Sequence, residues 1–484
     1  MGLTDDARTA LSSVGLALNE LLLREDRDFY ARQYESGRAL IEEGLALLGD
    51  RANDSHRAGL ELLPATAPDI AGVPYLDNLR ECAARTLQAL VPPLVEREYT
   101  SSSIRNYLGR LVDWENQLYQ FRQTQADPPA GQQPAASSRG DFSQSAIEGY
   151  LRRRFPERGA ATVSGLKTLA GGFSKTTVMF DVGYANGASE ALVIRAEQPN
   201  ELLFLDGARV SNEFHVLKFM HKMGRPVAEP LWLEADATQL GQCFLVSRRA
   251  AGKNIGSRVD VNDPIHEALL RDLIVQLVRI HQTPVDRNDD EVRQSHLAHW
   301  AQFPSLTECV AAQVKQWREG ARKFDLPASP LFARALEWMT NNIPRCDDRP
   351  SMLHGDYGLH NILITDDRIS CLLDWESSGI GDPADDLAWL IDGLRSKIEP
   401  ERILTLYEKI AGYRIPENRL RFFEVFNSLR FAVVCPRGLT LLQNDLDVDI
   451  GACNLGLRFT YFGTARLNAT ISQADALRTA AGNS

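Results

Sequence analysis

Between residues 102 and 121 the chain reads SSIRNYLGRLVDWENQLYQF, with Ile104, Tyr107, Leu108 and Leu111 at i, i+3, i+4 and i+7 and with Leu118 and Phe121 beyond them. That spacing predicts a helix with one apolar stripe. Patterns of the same period surround Leu11 to Leu23, Tyr30 to Leu48 and Leu79 to Leu94, so residues 1–123 read as an all-α domain. No repeat and no catalytic constellation occurs there, which leaves a packing module or a surface for homo-oligomerisation through the N-terminal helices. Residues 124–141, TQADPPAGQQPAASSRGD, hold no apolar side chain larger than alanine and read as a linker. Few contacts are expected to cross it.

Beyond residue 142 the period shortens. TTVMFDVGY (176–184), EALVIRAE (190–197) and GQCFLVSRR (241–249) read as strands, with a helical VSNEFHVLKFMHKMG (210–224) between the second and the third. From 264 onward helices dominate, broken by ILITDDRISCLLDWE (362–376), two strand-like runs about Asp366-Asp367. The expected fold is α+β: a two-lobe, protein-kinase-like arrangement with a small antiparallel-sheet N-lobe (142–250) and a mostly helical C-lobe (251–484), preceded by the all-α domain.

Composition narrows the function. A chain of 484 residues with 44% hydrophobic and 24% charged residues is long enough for two or three ordinary globular domains. Its formal net charge of −11 argues against nucleic acid or an anionic membrane as partner. Seven cysteines, an odd number with no C-x-x-C, point to free thiols in a reducing compartment. No apolar stretch approaches a membrane span and the N-terminus lacks a basic-then-apolar signal, so a cytoplasmic location is expected.

The chemistry concentrates in HGDYGLHN (354–361) and CLLDWE (371–376). Phosphoryl transfer from ATP needs a group for the acceptor hydroxyl, ligands for Mg²⁺, a cation on the phosphates and a flexible backbone cover. Asp356 could accept the hydroxyl proton, Asn361 could reach a metal from the same loop, and Asp374 follows an apolar strand as a bridging Mg²⁺ ligand should. His354 and His360 have no third ligand at zinc spacing, and a G-x-S-x-G hydrolase elbow does not occur.

HGDYGLHN, LLDWE and GDPADDLAWL (381–390), in that order, resemble the signature of the aminoglycoside phosphotransferase and choline kinase-like family, relatives of protein kinases. The resemblance covers roughly residues 143–460. It implies ATP and Mg²⁺ as cofactors, Asp356 as the catalytic aspartate with His354 bracing its loop, Asn361 and Asp374 on the metal, and Asp382 and Asp386 as structural supports. In LAGGFSKTT (169–177), Gly171, Gly172 and Ser174 would cover the phosphates. Arg195 stands where kinase-like folds usually place lysine, and Glu213 matches the glutamate that pairs with that cation. Arginine keeps the charge but not the geometry. The hinge VSRRAAG (246–252) puts Arg248 at the usual acid and offers its backbone, to Ala250, for the adenine.

The expected function is transfer of the γ-phosphoryl group to a small hydroxylated substrate. HGDYGLHN, DWE and QVKQWREG (313–320) resemble the hydroxyacyl-CoA kinase branch more than antibiotic-resistance members, which implies a hydroxyacyl-CoA or another hydroxylated catabolic intermediate as acceptor. A nucleotide-binding regulatory pseudokinase is the alternative.

Overall fold

The computed structural model describes residues 27–68, 73–98, 101–123, 140–169, 175–197, 209–254, 265–323, 329–434 and 463–475. The helix expected about Leu11 to Leu23 and nearly all of the linker lie outside the described residues. The chain divides into two compact units: residues 1–134, 314–343 and 425–484 form one, and residues 135–313 and 344–424 the other.

In the first unit the helices Arg27–Leu48, Val73–Glu98 and Ser102–Gln123 turn their apolar stripes inward. Ile41, Leu87, Leu90, Tyr107, Leu108 and Leu111 share one core. Pro92 and Pro93 sit inside the second of these helices, where packing outweighs the lost amide donors. Two buried polar tips find backbone acceptors: Tyr107 donates to the Leu40 carbonyl at 2.8 Å and Trp114 Nε1 to that of Gln33 at 2.8 Å.

The helix Pro330–Asn341 belongs to the same unit, and its N-terminus corrects the expectation that few contacts cross the linker. The Ser329 amide donates to Gln88 Oε1 at 3.0 Å and the Leu331 amide to Glu115 Oε2 at 3.0 Å. Ala333 packs on the core of the N-terminal helices. The physical reason is that the first amides of a helix have no partner within it, and acceptors from the N-terminal helices supply one.

The second unit holds a five-stranded antiparallel sheet in the order β1-β2-β3-β5-β4. Its strands are β1 (Ala161–Leu169), β2 (Lys175–Tyr184), β3 (Ser189–Glu197), β4 (Pro230–Glu234) and β5 (Phe244–Arg248). Along β2, Val178, Phe180, Val182 and Tyr184 are buried at the two-residue period of a strand. They meet Ile194, Trp232 and Phe244 and, from the preceding helix Gln144–Arg154, Ile147, Tyr150 and Leu151. The helix Val210–Lys222, between the third and fourth strands, completes the small lobe expected of a kinase-like fold. Its first amide, that of Val210, donates to Glu197 Oε2 at 2.9 Å, so the end of β3 fixes where the helix begins.

Past the hinge, β6 (Lys253–Asn254) pairs with β8 (Ile362–Thr365), which forms a hairpin with β9 (Arg368–Leu372). Asp366 and Asp367 make its turn at φ 49° and 57°, as a two-residue type I′ hairpin requires. β7 (Ser351–Leu353) pairs with β10 (Gly379–Gly381). The buried helix Glu267–His281 anchors both the loop and the hairpin. Tyr357 donates its hydroxyl to the Leu273 carbonyl at 2.8 Å, and Asp272 accepts the Ile369 amide at 2.8 Å. Among the described residues no helix is long and apolar enough to cross a membrane.

Candidate active site

The loop 354–361 is held from beneath. Asp386, in the first turn of the helix Ala384–Leu394, accepts the amides of His354 and Gly355 at 2.7 Å each. His281 Nε2 lies 3.3 Å from the same carboxylate, and its Nδ1 is 2.8 Å from the Tyr407 hydroxyl. Burial opposes ionisation of Asp386, yet His281 and the His354 amide hold its carboxyl below the usual range. Asp382 takes a two-pronged bond from Arg419 at 2.6 and 2.7 Å. Gly355, at φ +82°, admits no side chain, because a Cβ there would lie 1.9 Å from the Ser377 carbonyl oxygen.

His354 is fully buried, with Nε2 2.9 Å from the Leu373 carbonyl, so it ties the loop to the end of β9. Burial lowers its pKa. Asp356, by contrast, faces outward, and its carboxylate is oriented by three side chains. Trp389 Nε1 donates to Oδ1 at 2.8 Å, Asn361 Nδ2 to Oδ2 at 2.9 Å, and His360 Nε2 lies 3.1 Å from Oδ1. Burial works against charge on His360, but the Asp356 carboxylate outweighs it and raises the imidazole pKa.

Asn361 and Asp374 come together through the backbone: the Leu373 amide donates to the Asn361 carbonyl at 2.8 Å, one step past the β8–β9 ladder. Asp374 itself is left-handed, at φ 61° and ψ 65°, an uncommon conformation for a residue other than glycine. The donor set suits Mg²⁺. Asn361 spends its amide nitrogen on Asp356, which leaves its side-chain oxygen as donor, and Asp374 adds a carboxylate. Among the described residues no three His, Cys, Asp or Glu side chains form a complete metal cage, so phosphate oxygens and water would fill the other positions, as Mg²⁺ prefers.

The cations lie opposite. Arg195 Nη2 donates to Asp374 Oδ1 at 2.7 Å, and its Nε is 3.0 Å from Glu213 Oε1. Glu213, on the Val210–Lys222 helix, is buried, and its second oxygen lies 3.4 Å from the ammonium of Lys175, which also pairs with Glu376. Both Glu213 contacts are close ion pairs and not aligned hydrogen bonds. Burial disfavours charge on Lys175 and Arg195, but the carboxylates around them raise both pKa values.

Of the other expected site residues, Gly171, Gly172 and Ser174 lie outside the described residues. Arg248 turns its guanidinium to Glu229 at 2.8 Å and Glu190 at 3.7 Å, and Ala250 follows the end of β5, half-buried. Three site residues were not foreseen from the sequence: Lys175, Glu376 and Trp389. Each lies inside a quoted motif, and the available signal was a lysine opening β2 in a chain whose β3 carries arginine.

Residues 166–423 match the model of the phosphotransferase enzyme family. Acyl-CoA dehydrogenase family member 11 of Gallus gallus is 29% identical over 255 residues, 51% of this chain and 30% of that protein. The Homo sapiens protein of the same name is 25% identical over 251 residues, with coverage of 51% and 30%. The chain thus spans about a third of the length of these relatives. A crystal structure from Ralstonia eutropha, provisionally named an aminoglycoside phosphotransferase, superposes with a TM-score of 0.50 at 19% identity, covering 69% of this chain and 99% of that one. At such identity the likeness is one of fold. The family match extends over more than half of the 484 residues and contains the loop 354–361, Asp374 and the charged residues around Arg195 described above, and the chain belongs to the phosphotransferase enzyme family.

Proposed function

We propose that the chain transfers the γ-phosphoryl group of ATP, with Mg²⁺, to a hydroxyl of a small molecule, and that the acceptor is a hydroxyacyl-CoA. The observation that carries the reading is the Asp356 carboxylate, held by Trp389, Asn361 and His360 in a loop whose Asn361 carbonyl accepts the amide of Leu373, the residue before Asp374. Asp356 accepts the proton of the acceptor hydroxyl as the hydroxyl oxygen attacks the γ-phosphorus and the bond to the bridging β-phosphate oxygen breaks, releasing ADP. Asn361 and Asp374 would hold the metal, and Arg195 would face the phosphates. The metal, when bound, neutralises phosphate charge and aligns the transferred group. His354, buried beneath the loop, acts through Asp356 as a positioning residue.

The acceptor class rests on the HGDYGLHN, DWE and QVKQWREG segments, which resemble the hydroxyacyl-CoA kinase branch. One observation favours the second reading, a regulatory chain that binds nucleotide without turnover: Arg195 already occupies one oxygen of Asp374.

A phosphoryl-transfer screen separates these readings. ATP and GTP, each with Mg²⁺, are supplied as donors against hydroxyacyl-CoAs, sugars, amino alcohols and aminoglycosides. Phosphorylated hydroxyacyl-CoA is the expected product. Transfer to another acceptor overturns the acceptor class, nucleotide binding without any transfer favours the regulatory reading, and absence of nucleotide binding overturns both.

A further inference from the structure

The five charged side chains of the cation site form an alternating chain. Asp374 meets Arg195, Arg195 meets Glu213, Glu213 meets Lys175, and Lys175 meets Glu376. The two ends, Asp374 and Glu376, are separated by a single residue in the same loop, so the backbone closes the chain into a ring. Burial within the ring is uneven. The side chains of Lys175 and Glu213 are 1% exposed, whereas those of Arg195, Asp374 and Glu376 are 20%, 32% and 19% exposed. The first pair is therefore a floor and the other three are a rim open to a ligand.

That unevenness separates the roles of the two cations. A buried carboxylate such as Glu213 must be neutralised, and with Arg195 as its sole partner the guanidinium would be committed to that task. Lys175 takes the second oxygen of Glu213, and the planar Arg195 fork has further N–H groups beyond the Nε that faces Glu213. The same ammonium holds Glu376 and, through the short loop, sets the position of Asp374.

We propose that Lys175 is a positioning residue of the nucleotide site: by neutralising Glu213 and anchoring Glu376, it leaves Arg195 available to a phosphate of the donor and Asp374 to the metal. The proposal rests on the phosphoryl-transfer reading above. It assigns the charge usually carried by one lysine on β3 to two residues, an arginine at the rim and a lysine beneath it on β2.

The test is titration of the full chain with fluorescently labelled ADP in the presence of Mg²⁺, with melting temperature recorded beside it. Lys175→Met and Glu376→Gln are each expected to weaken binding by about tenfold, and the double variant by no more than the weaker-binding single, because coupled residues do not add. Lys175→Arg, which keeps the charge, is expected to restore affinity to within about threefold of the parent. A purely structural lysine would lower the melting temperature of Lys175→Met and leave the affinity of the folded fraction within about twofold, and that result overturns the proposal. Should Lys175→Met fail to fold, Glu376→Gln carries the test, since it leaves the buried Lys175–Glu213 pair intact; unchanged affinity in that variant likewise overturns it. Asp374→Asn distinguishes the two levels of argument. If it binds MgADP as the parent does, the nucleotide reading itself falls. If it binds weakly while Lys175→Met and Glu376→Gln bind normally, the role given to Lys175 alone is wrong.

Discussion

The indole N–H of Trp389 donates to Oδ1 of Asp356 at 2.8 Å, joining the helix Ala384–Leu394 directly to the carboxylate at the centre of the loop. Asp356 can rotate about its side-chain bonds unless such donors fix it, and the indole, unlike the His360 imidazole on the same oxygen, keeps its proton at every pH. Replacing Trp389 with phenylalanine keeps an aromatic ring and removes the bond. A hydrogen bond to a charged group contributes roughly 1.5–3 kcal/mol, but Asp356 keeps its other donors, so a fall in kcat of about tenfold is expected. Nucleotide affinity should be unchanged. Equal losses in affinity and turnover would show that the indole supports the site as a whole and does not orient the carboxylate.

Asp356 and Asp374 should fail differently when changed to asparagine. Asp374→Asn removes charge from the metal site and from the Arg195 pair, so it should weaken Mg²⁺-nucleotide binding as well as turnover. Asp356→Asn leaves Asn361 and Asp374 in place and should spare nucleotide affinity while lowering kcat by about 10²- to 10⁴-fold, the usual contribution of a positioned base. Nucleotide titration and turnover on the acceptor found by the screen provide the check. The reverse pattern, with Asp356→Asn abolishing binding and Asp374→Asn silent, would refute both assignments.

The kinase-like order was legible because long apolar patterns announce themselves: β2, β3, β5, the Val210–Lys222 helix and the 362–372 hairpin all lie where the periods put them. β1 and β4 were not. Gly165 to Thr168 of β1 are exposed and its pairing with β2 is irregular after Ser164, so its alternation is weak; β4 has five residues and starts at a proline. The loop residues could be read as types, since Asp, Asn and Asp at that spacing have few other uses together. Lys175 could not, because a lysine after a Ser in a Gly-rich turn reads as solvated until the fold brings Glu213 and Glu376 to it from 38 and 201 positions away. Glu115 is the same case in the other unit. In the middle of an amphipathic helix it reads as surface, and only a partner 214 positions along the chain buries it.

Deleting residues 1–123 removes more than an appendage. The helix Pro330–Asn341 buries Leu331, Phe332, Ala335, Trp338 and Met339, and its capping acceptors Gln88 and Glu115 lie in the deleted segment. Exposing an apolar helix face of that size favours aggregation. The truncated chain is expected to be insoluble, or soluble with strong binding of a hydrophobic dye. A monomeric truncated chain with a cooperative melt and no dye binding would show that residues 330–341 find cover without the N-terminal helices.

Glu115 should make the first unit sensitive to pH near neutrality. Burial pushes its carboxyl up to about 7, against the pull of the hydrogen bonds from Ser329 and the Leu331 amide. The folded value thus lies above the ordinary 4.5, so the folded chain binds more protons than the unfolded chain between the two. Stability from this group is fully present below about pH 4.5 and is lost as pH rises through about 7, by about 3 kcal/mol at most. Glu115→Gln is neutral at every pH, and its amide can still accept from Leu331 and reach Ser329. Other groups titrate identically in the two proteins, so the informative quantity is the difference between their urea midpoints, followed in the helical signal at pH 5, 6, 7 and 8. The glutamine variant should gain on the parent steadily as pH rises and level off near pH 8. A difference that stays constant from pH 5 to pH 8 would mean that Glu115 is charged throughout and that its hydrogen bonds, not its burial, set its protonation.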